Sequence, residues 1–363
     1  MRLFRRASLV SLQFSALLAA RVSAAPVDGV PIQTVPIADG VYQFITAPDG
    51  YVPNGNAVAI VNDADVLVFD TFTRPSTARK LVAEIRRITD KPVRWVVNSH
   101  WHPDHWSGNE VFAKEFPGVA IVASDETLEW MRNTANVWPA LLTTNLKKSE
   151  EAFEKERSSR KTDDGKPVTD EQLKKDEDEL RLEREFVAES LTVRRTFPTN
   201  TYHDSLTLRS GARELRLTSV VGDSRGTTVL YLPKEKILVT GDVVSYPVPY
   251  FTPPLSQHAK TLRTLAALDL DVIIPGHGPA WRDRGFMNLE AELFESIVRQ
   301  VTDAAQKGLV TEDEIKKVVD VEPFRPRFSH GDPELDAKFR RYASRMIENA
   351  CREARDGKIW TGN

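Results

Sequence analysis

Beyond residue 40 the apolar residues come in short runs, "GVYQFITA", "NAVAIVN" and "DVLVFD", rich in Val, Ile, Phe and Tyr and broken by Asn, Asp and Gly. That pattern predicts the strands of a meander. The period then changes. In "STARKLVAEIRRITD", Leu81, Val82, Ile85 and Ile88 recur at helical spacing, which predicts an amphipathic helix capped by Ser76 and packed on a sheet. "PVRWVVNSH" is the next strand and delivers a His-rich stretch at its C-terminal end, the end of an α/β sheet where ligands usually sit. Strand patterns resume in "SLTLRSGARELRLTSVVGD", "TTVLYLPKEKILVTGD" and "LDVIIPGHG", the middle one folding back around Pro233 to Lys236.

Residues from about 139 to 195 break this rhythm with dense charge, and Phe153, Leu173, Leu180, Leu182 and Phe186 are their sparse apolar points. A turn at "DDGKPVTDEQ" and a fresh cap at Thr169 or Asp170 predict a helical hairpin inserted between the two halves of the sheet domain. A solvated spacer, a lid over a site and an arm between copies all fit this composition. From about 283 onward "LEAELFESIVRQVTDAAQKG" and "LDAKFRRYASRMIENACREARDG" read as helices without evident chemistry. The expected division is a leader at 1–24, a sheet domain at 25–282 carrying the hairpin, and a C-terminal helical extension at 283–363.

The leader is expected because Arg2, Arg5 and Arg6 precede the apolar "ASLVSLQFSALLAA" and the small residues of "VSAAP", the signature of a secretory signal. The apolar run is shorter than a spanning helix requires and Arg21 interrupts its end. An exported protein, periplasmic or secreted and with no stable membrane anchor after cleavage, is expected. Loss of residues 1–24, with four arginines and no acid, takes the formal charge from −3 to −7. A pI near 6.2 gives no basic footprint, so nucleic acid is not an expected partner and a small-molecule substrate is. The single cysteine, Cys351, cannot form an internal disulfide and lies in a helical pattern, where it reads as a small apolar residue. Nothing here fixes the oligomeric state.

The chemistry concentrates in "NSHWHPDHWSGN", residues 98–109, which places three of the chain's seven histidines within six positions. His100 and His102 at a strand end point to the same side, and Asp104 and His105 come round the following turn. Such a density of imidazole and carboxylate is costly to leave unpaired and points to a metal site. Further ligands must come from distant segments, and Asp223 in "VVGDSRG", Asp242 in "VTGDVV" and His277 in "IPGHGP" each follow a strand pattern with Gly beside them. Taken singly, each is as readily a turn Asp or a loop His. His203 and His258 read as surface or loop residues. Trp101 and Trp106 could line a pocket or pack beneath the site.

This arrangement resembles the metallo-β-lactamase superfamily over about residues 36–282. The resemblance implies an α/β fold, an αββα four-layer sandwich, with two divalent metal ions at one edge, zinc by preference and manganese or iron as alternatives. It implies that His100 and His102 bind the first ion, that Asp104, His105 and His277 bind the second, that Asp242 bridges them, and that Asp70 supports the site from behind. The departure is Asp223, which stands where the family usually has a third His for the first ion. A third carboxylate leaves two divalent ions with one formal positive charge instead of two, so bound water should be less acidic and harder ions more competitive. The activity implied is that of an exported metal-dependent hydrolase whose metal-bound hydroxide, oriented by Asp104, attacks an ester, lactone, lactam or related bond. The alternative is a mononuclear or non-catalytic metal-binding protein of the same fold. Redox chemistry at iron fits less well, because that pattern replaces a first-motif His with Glu and His102 is present.

Overall fold

The structure, a computed structural model, describes residues 30–46, 55–162, 165–250, 254–309 and 311–356; the expected leader lies outside them. Strands β1 (Ile32–Ala38), β2 (Val41–Thr46), β3 (Ala57–Val61) and β4 (Val66–Phe69) form an antiparallel meander. Strands β5 (Val93–Val97), β6 (Ala120–Ser124) and β7 (Asn200–Tyr202) continue the same sheet in parallel. The crossover from β4 to β5 is helix α1 (Pro75–Ile88), and the short helices α2 (Pro103–Trp106) and α3 (Asn109–Glu115) follow β5. Strand β4 is buried along its whole length, as a run of four apolar residues must be when both faces of the sheet are covered.

After β6 come α4 (Asp125–Thr134), α5 (Val137–Ser159) and α6 (Asp170–Ser190). The second sheet holds β8 (Ser205–Ser210), β9 (Arg213–Val220), β10 (Thr227–Leu232), β11 (Ile237–Gly241) and β12 (Val272–Pro275) in the order β12-β11-β10-β9-β8. Only its β11–β12 pair is parallel, with helix α7 (Leu255–Ala266) as the crossover. Helices α8 (Gly285–Gln306), α9 (Glu312–Lys316), α10 (Arg325–Ser329) and α11 (Pro333–Asp356) complete the described chain.

The layers follow from which face of each element is apolar. Val58, Leu67, Phe69, Val97 and Val122 of the first sheet meet Leu217, Leu230, Leu232, Val239 and Ile274 of the second in one core. On the outer face of the first sheet, Leu81, Val82 and Ile85 of α1 and Phe112 of α3 pack on Val66, Val68 and Val96. On the outer face of the second, α7, α8 and α11 contribute Leu262, Phe294, Ile297, Phe339 and Met346. The result is the expected αββα sandwich.

Three local expectations are corrected. Helix α1 is capped by Arg74 rather than Ser76, because Pro75 occupies its first turn and fixes the helical start two residues earlier. The inserted hairpin, α5 and α6, does not separate the two sheets; it lies inside the first, between β6 and β7. His258 is neither a surface nor a loop residue: it is fully buried on α7. Of the two cap candidates in the hairpin, Thr169 takes the role, its side chain accepting from the Gln172 N–H.

The hairpin is tied to the sandwich at its far end. Glu189 accepts from Arg74 Nε at 2.6 Å and from the Ser76 N–H at 2.7 Å, so a hairpin carboxylate supplies the cap that α1 lacks in its own sequence. Burial alone would raise the Glu189 pKa, but the Ser76 hydrogen bonds and the Arg74 guanidinium outweigh it and hold it low. Glu189→Ala is expected to cost about 1–2 kcal/mol, the usual loss for a charge-assisted helix cap. A lowered thermal midpoint and faster amide exchange in the first turn of α1 would show it; an unchanged midpoint and unchanged exchange would mean the contact contributes nothing.

Candidate metal centre

The loops after β4, β5, β9, β11 and β12 all emerge at one edge of the sandwich and carry Asp70, the His-rich stretch, Asp223, Asp242 and His277 respectively. Backbone and amide bonds sew the two sheets together there. The Thr228 N–H donates to the Ser99 carbonyl at 2.7 Å, and Asn56 Nδ2 donates to the Pro275 and Gly278 carbonyls at 2.9 and 2.7 Å. Gly276 has no room for a side chain, since a Cβ would collide with the Asp242 carboxylate and backbone.

All seven side chains singled out in the sequence come together. His100, His102, Asp223 and Asp242 form one group and Asp104, His105 and His277 another, with the potential ligand atoms in each lying within 4.8 Å of one another. In the first group, Asp223 Oδ2 lies 2.9 Å from His102 Nδ1 and 3.6 Å from His100 Nε2. In the second, Asp104 Oδ2 lies 3.2 Å from His105 Nε2 and 3.3 Å from His277 Nε2. Asp242 reaches both: its Oδ2 is 3.9 Å from His100 Nε2 and 3.4 Å from His277 Nε2, and its Oδ1 is 3.5 Å from His105 Nε2. The convergence of His100 and His102 does not come from strand pleating, because β5 ends at Val97. It comes from the loop that follows and from the extended backbone of His102 at the start of α2.

Asp70 sets the orientation of this cluster from behind. Its Oδ1 accepts the Ser99 N–H at 2.7 Å, and its Oδ2 contacts Ser99 Oγ at 2.7 Å and His105 Nδ1 at 2.8 Å. Ser99 Oγ in turn lies 2.9 Å from His100 Nδ1. Both imidazoles are thereby held at Nδ1, which leaves Nε2 facing the cluster. Asp70 adopts a φ of 63°, a left-handed backbone that an L-residue enters at a cost, and the bonds from Asp70 N–H to Val97 O and from Thr71 N–H to His105 O, 2.8 and 2.9 Å, fix it. Deeper still, Asn98 and Asn109 exchange side-chain hydrogen bonds at 3.0 and 2.8 Å. Ser99 and this Asn pair are structural supports of the cluster that residue-type reasoning missed; the only signal was their position inside the His-rich stretch.

The electrostatics fit a cation. Asp104 Oδ2, His105 Nε2, both oxygens of Asp223 and Asp242 Oδ1 are buried yet complete no hydrogen bond of good geometry, a state that is costly unless something positive faces them. Burial raises the Asp104 and Asp242 carboxyls, but the neighbouring imidazoles win and hold both well below the ordinary range. Burial likewise pulls His277 down, and Asp242 and Asp104 outweigh it to leave a pKa of about 9. His102 and His105 are raised for the same reason by Asp223 and Asp104. His100 is the exception: burial brings it to about 4.

Trp101 stands half-buried against His102, with ring centroids 4.3 Å apart, and stacks on Trp130 at 5.8 Å. Trp106 packs beneath instead, stacked on Phe197 with its Nε1–H donated to the Trp101 carbonyl at 2.8 Å. Tyr250 meets His102 edge-on at 6.4 Å. His203 is exposed beside Asp125 and Asp204 and takes no part.

Two expectations follow. Because the neighbouring carboxylates raise His105 well above the ordinary imidazole value and His277 to about 9 in the metal-free protein, both hold protons at pH 7 that ligation must displace. Metal binding should therefore release protons, and apparent affinity should climb with pH until about 9; calorimetry in two buffers of different ionisation enthalpy reads the proton count, and zero release at pH 7 would contradict the reading. Asp70→Asn keeps the volume but cannot accept from all three donors, so a loss of about 10- to 100-fold in metal affinity is expected. Chelator competition measures it, and wild-type affinity would show that Asp70 orients nothing.

Comparisons with known proteins agree with this geometry. The family model described as the Metallo-beta-lactamase superfamily matches residues 50–277. The linear primary-alkylsulfatase of Pseudomonas sp. (strain ATCC 19151) is 25% identical over 277 residues, covering 70% of this chain and 48% of that protein; the chain thus spans about half the length of this relative. A metallo-beta-lactamase from Pontibacter korlensis superposes with a TM-score of 0.50 at 17% identity, over 73% of this chain and 99% of that one. A double mutant of the sec-alkyl sulfatase PisA1 superposes with a TM-score of 0.57 at 17% identity, over 92% of this chain and 51% of that one. With more than half of its length matched by the family model, and the sheet order and histidine-rich strand end in place, the chain belongs to the metallo-beta-lactamase superfamily.

Proposed function

We propose that this superfamily hydrolase cleaves the sulfate ester of an alkyl alcohol at a centre for two divalent ions, zinc by preference. The observation that carries the dinuclear half is the split of seven side chains into two groups that share Asp242. His100, His102 and Asp223 would hold one ion, Asp104, His105 and His277 the other, with Asp242 common to both. The 2.9 Å approach of Asp223 to His102 supports its place in the centre and weighs against the mononuclear alternative. Three carboxylates keep manganese and iron in competition with zinc.

The substrate half is supported by the alkylsulfatase relative. It also has support in fold coverage: the lactamase aligns with 73% of the chain and the sec-alkyl sulfatase with 92%, so the latter takes in elements beyond the minimal sandwich. When bound, two divalent ions stabilise charge developing on the substrate and make water more acidic. The chain's own residues do the rest. Asp104 Oδ2, buried between His105 and His277, is an acceptor that can hold and orient the attacking water through a hydrogen bond. Trp101, backed by Trp130, and Tyr250 give the mouth an apolar wall beside His102, suited to an alkyl chain and to excluding bulk water. No serine or cysteine nucleophile is needed, and Cys351 is buried on α11. Export belongs to this proposal on the pattern of residues 1–24, and the mature protein should begin near Ala25. Among the described residues no helix is long and apolar enough to cross a membrane.

Zinc-loaded protein is expected to release inorganic sulfate from dodecyl sulfate with a higher kcat/KM than it shows for a carboxylic ester, a lactone or a β-lactam. Turnover confined to the carbonyl substrates would overturn the sulfate reading and leave the dinuclear one standing. Asp223→His removes a negative charge from the centre, so the acidic limb of the pH–rate profile should move to lower pH and the first ion should bind more tightly. If neither changes, Asp223 stands outside the ligand shell.

A further inference from the structure

Strands β11 and β12, after which Asp242 and His277 stand, are joined by helix α7. The buried stripe of that helix is Leu255, Ala259, Leu262 and Leu265, with one exception in its midst, the fully buried His258. A leucine at 258 would complete the stripe without burying a polar group. An imidazole there costs free energy unless it is hydrogen-bonded, so its partner is informative.

The partner is a main-chain group next to Asp242. His258 Nε2 lies 2.7 Å from the Val243 carbonyl, and because a carbonyl oxygen only accepts, the ring donates its Nε2–H. Phe294 of α8 packs on the same ring with centroids 5.0 Å apart. Burial holds the His258 pKa at about 4, so the ring is neutral.

This bond completes a grip on the main chain to either side of Asp242. The Gly241 carbonyl accepts the Gly276 N–H at 2.8 Å, the Asp242 carbonyl accepts from Ser245 Oγ at 3.3 Å, and the Val243 carbonyl accepts from His258. Gly241 turns the chain off β11 with a φ of 51°, and Val243 and Val244 then enter the core shared with α7 and α8. With the carbonyls before and after it both anchored, Asp242 has little freedom to shift. Its carboxylate needs that restraint, since it must stay within 3.4 to 3.9 Å of His277, His105 and His100 at once. Of the three bonds, only the one from His258 comes from a side chain of the helical layer.

We infer that His258 is a positioning residue for Asp242: by holding the Val243 carbonyl from beneath, it fixes where the carboxylate common to the two metal sites stands. The inference rests on the reading of Asp242 as a shared ligand.

The test is titration of the metal-free full chain with cobalt(II), followed by d–d absorption, for wild type, His258→Leu, His258→Met, His258→Gln, Leu262→Ala and Asp242→Asn. Wild type should take up two equivalents and Asp242→Asn should lose one. His258→Leu completes the apolar stripe but takes the donor from the Val243 carbonyl, and it should weaken the more loosely held ion by about 10- to 100-fold with an altered spectrum. If it does not fold, His258→Met, unbranched and equally unable to donate, carries the same expectation. His258→Gln, whose amide can still donate, should stay closer to wild type. Leu262→Ala, one turn along the same stripe, lowers the thermal midpoint through packing alone and should keep both affinities and the spectrum. Wild-type affinities and spectra in the folded Leu or Met variant, or an equal loss in Leu262→Ala, overturn this inference alone when Asp242→Asn still loses an ion. Two tightly bound equivalents in Asp242→Asn overturn the shared-ligand reading and this inference with it.

Discussion

Three carboxylates, Asp104, Asp223 and Asp242, share a buried space with four imidazoles and almost no other hydrogen-bonding partners. Like charges at this separation in a poorly solvated site repel strongly, so the arrangement is tolerable only with positive charge among them. In the metal-free protein, imidazolium protons on His105 and His277 supply it. Divalent ions supply it more compactly, each replacing protons on several ligands at once. The rest of the sandwich can be understood as the apparatus that holds these seven groups against their mutual repulsion.

That apparatus has two levels. The parallel pairs β4–β5 and β11–β12 bring loops from two sheets to one edge, and bonds between the sheets, such as Thr228 to Ser99 and Asn56 to Gly278, fix their separation. Within that frame Asp70 ties Ser99 and His105 together, and Ser99 extends the tie to His100. A left-handed Asp at the end of a fully buried strand is an expensive feature, and its three side-chain contacts account for it.

The elements that a minimal sandwich does not need are joined to the same frame. The charged hairpin ends in Glu189, which caps α1 just beyond the Asp70 loop. From the other side, α8 packs Phe294 on His258 of the crossover helix α7, whose Nε2 lies 2.7 Å from the Val243 carbonyl immediately after Asp242. One addition thus ends close behind Asp70, and the other packs on the helix that holds the segment after Asp242.

Much of this was legible along the chain. The runs at 41–46, 57–61 and 66–69 and the helical stripe of α1 are local patterns, and they form because alternating or 3.6-residue burial is decided over a few neighbouring positions. The types of ligand were legible too, since His and Asp beside Gly at successive strand ends have few cheap alternatives. The shortest elements escaped: β7 has three residues, too few for a period to show. Helix α7 carries a readable stripe in Leu255, Ala259, Leu262 and Leu265, and His258 falls on that stripe although its residue type alone reads as surface or loop. The sequence by itself determined which segments become strands and helices and which chemistry stands at their ends. Only the tertiary structure decided that Asp242 lies between His100, His105 and His277, that Glu189 caps a helix more than a hundred residues earlier, and that His258 reaches the Val243 carbonyl. Those contacts join segments far apart in the chain, and their distances depend on how two twisted sheets and their covering helices pack, which no local spacing encodes.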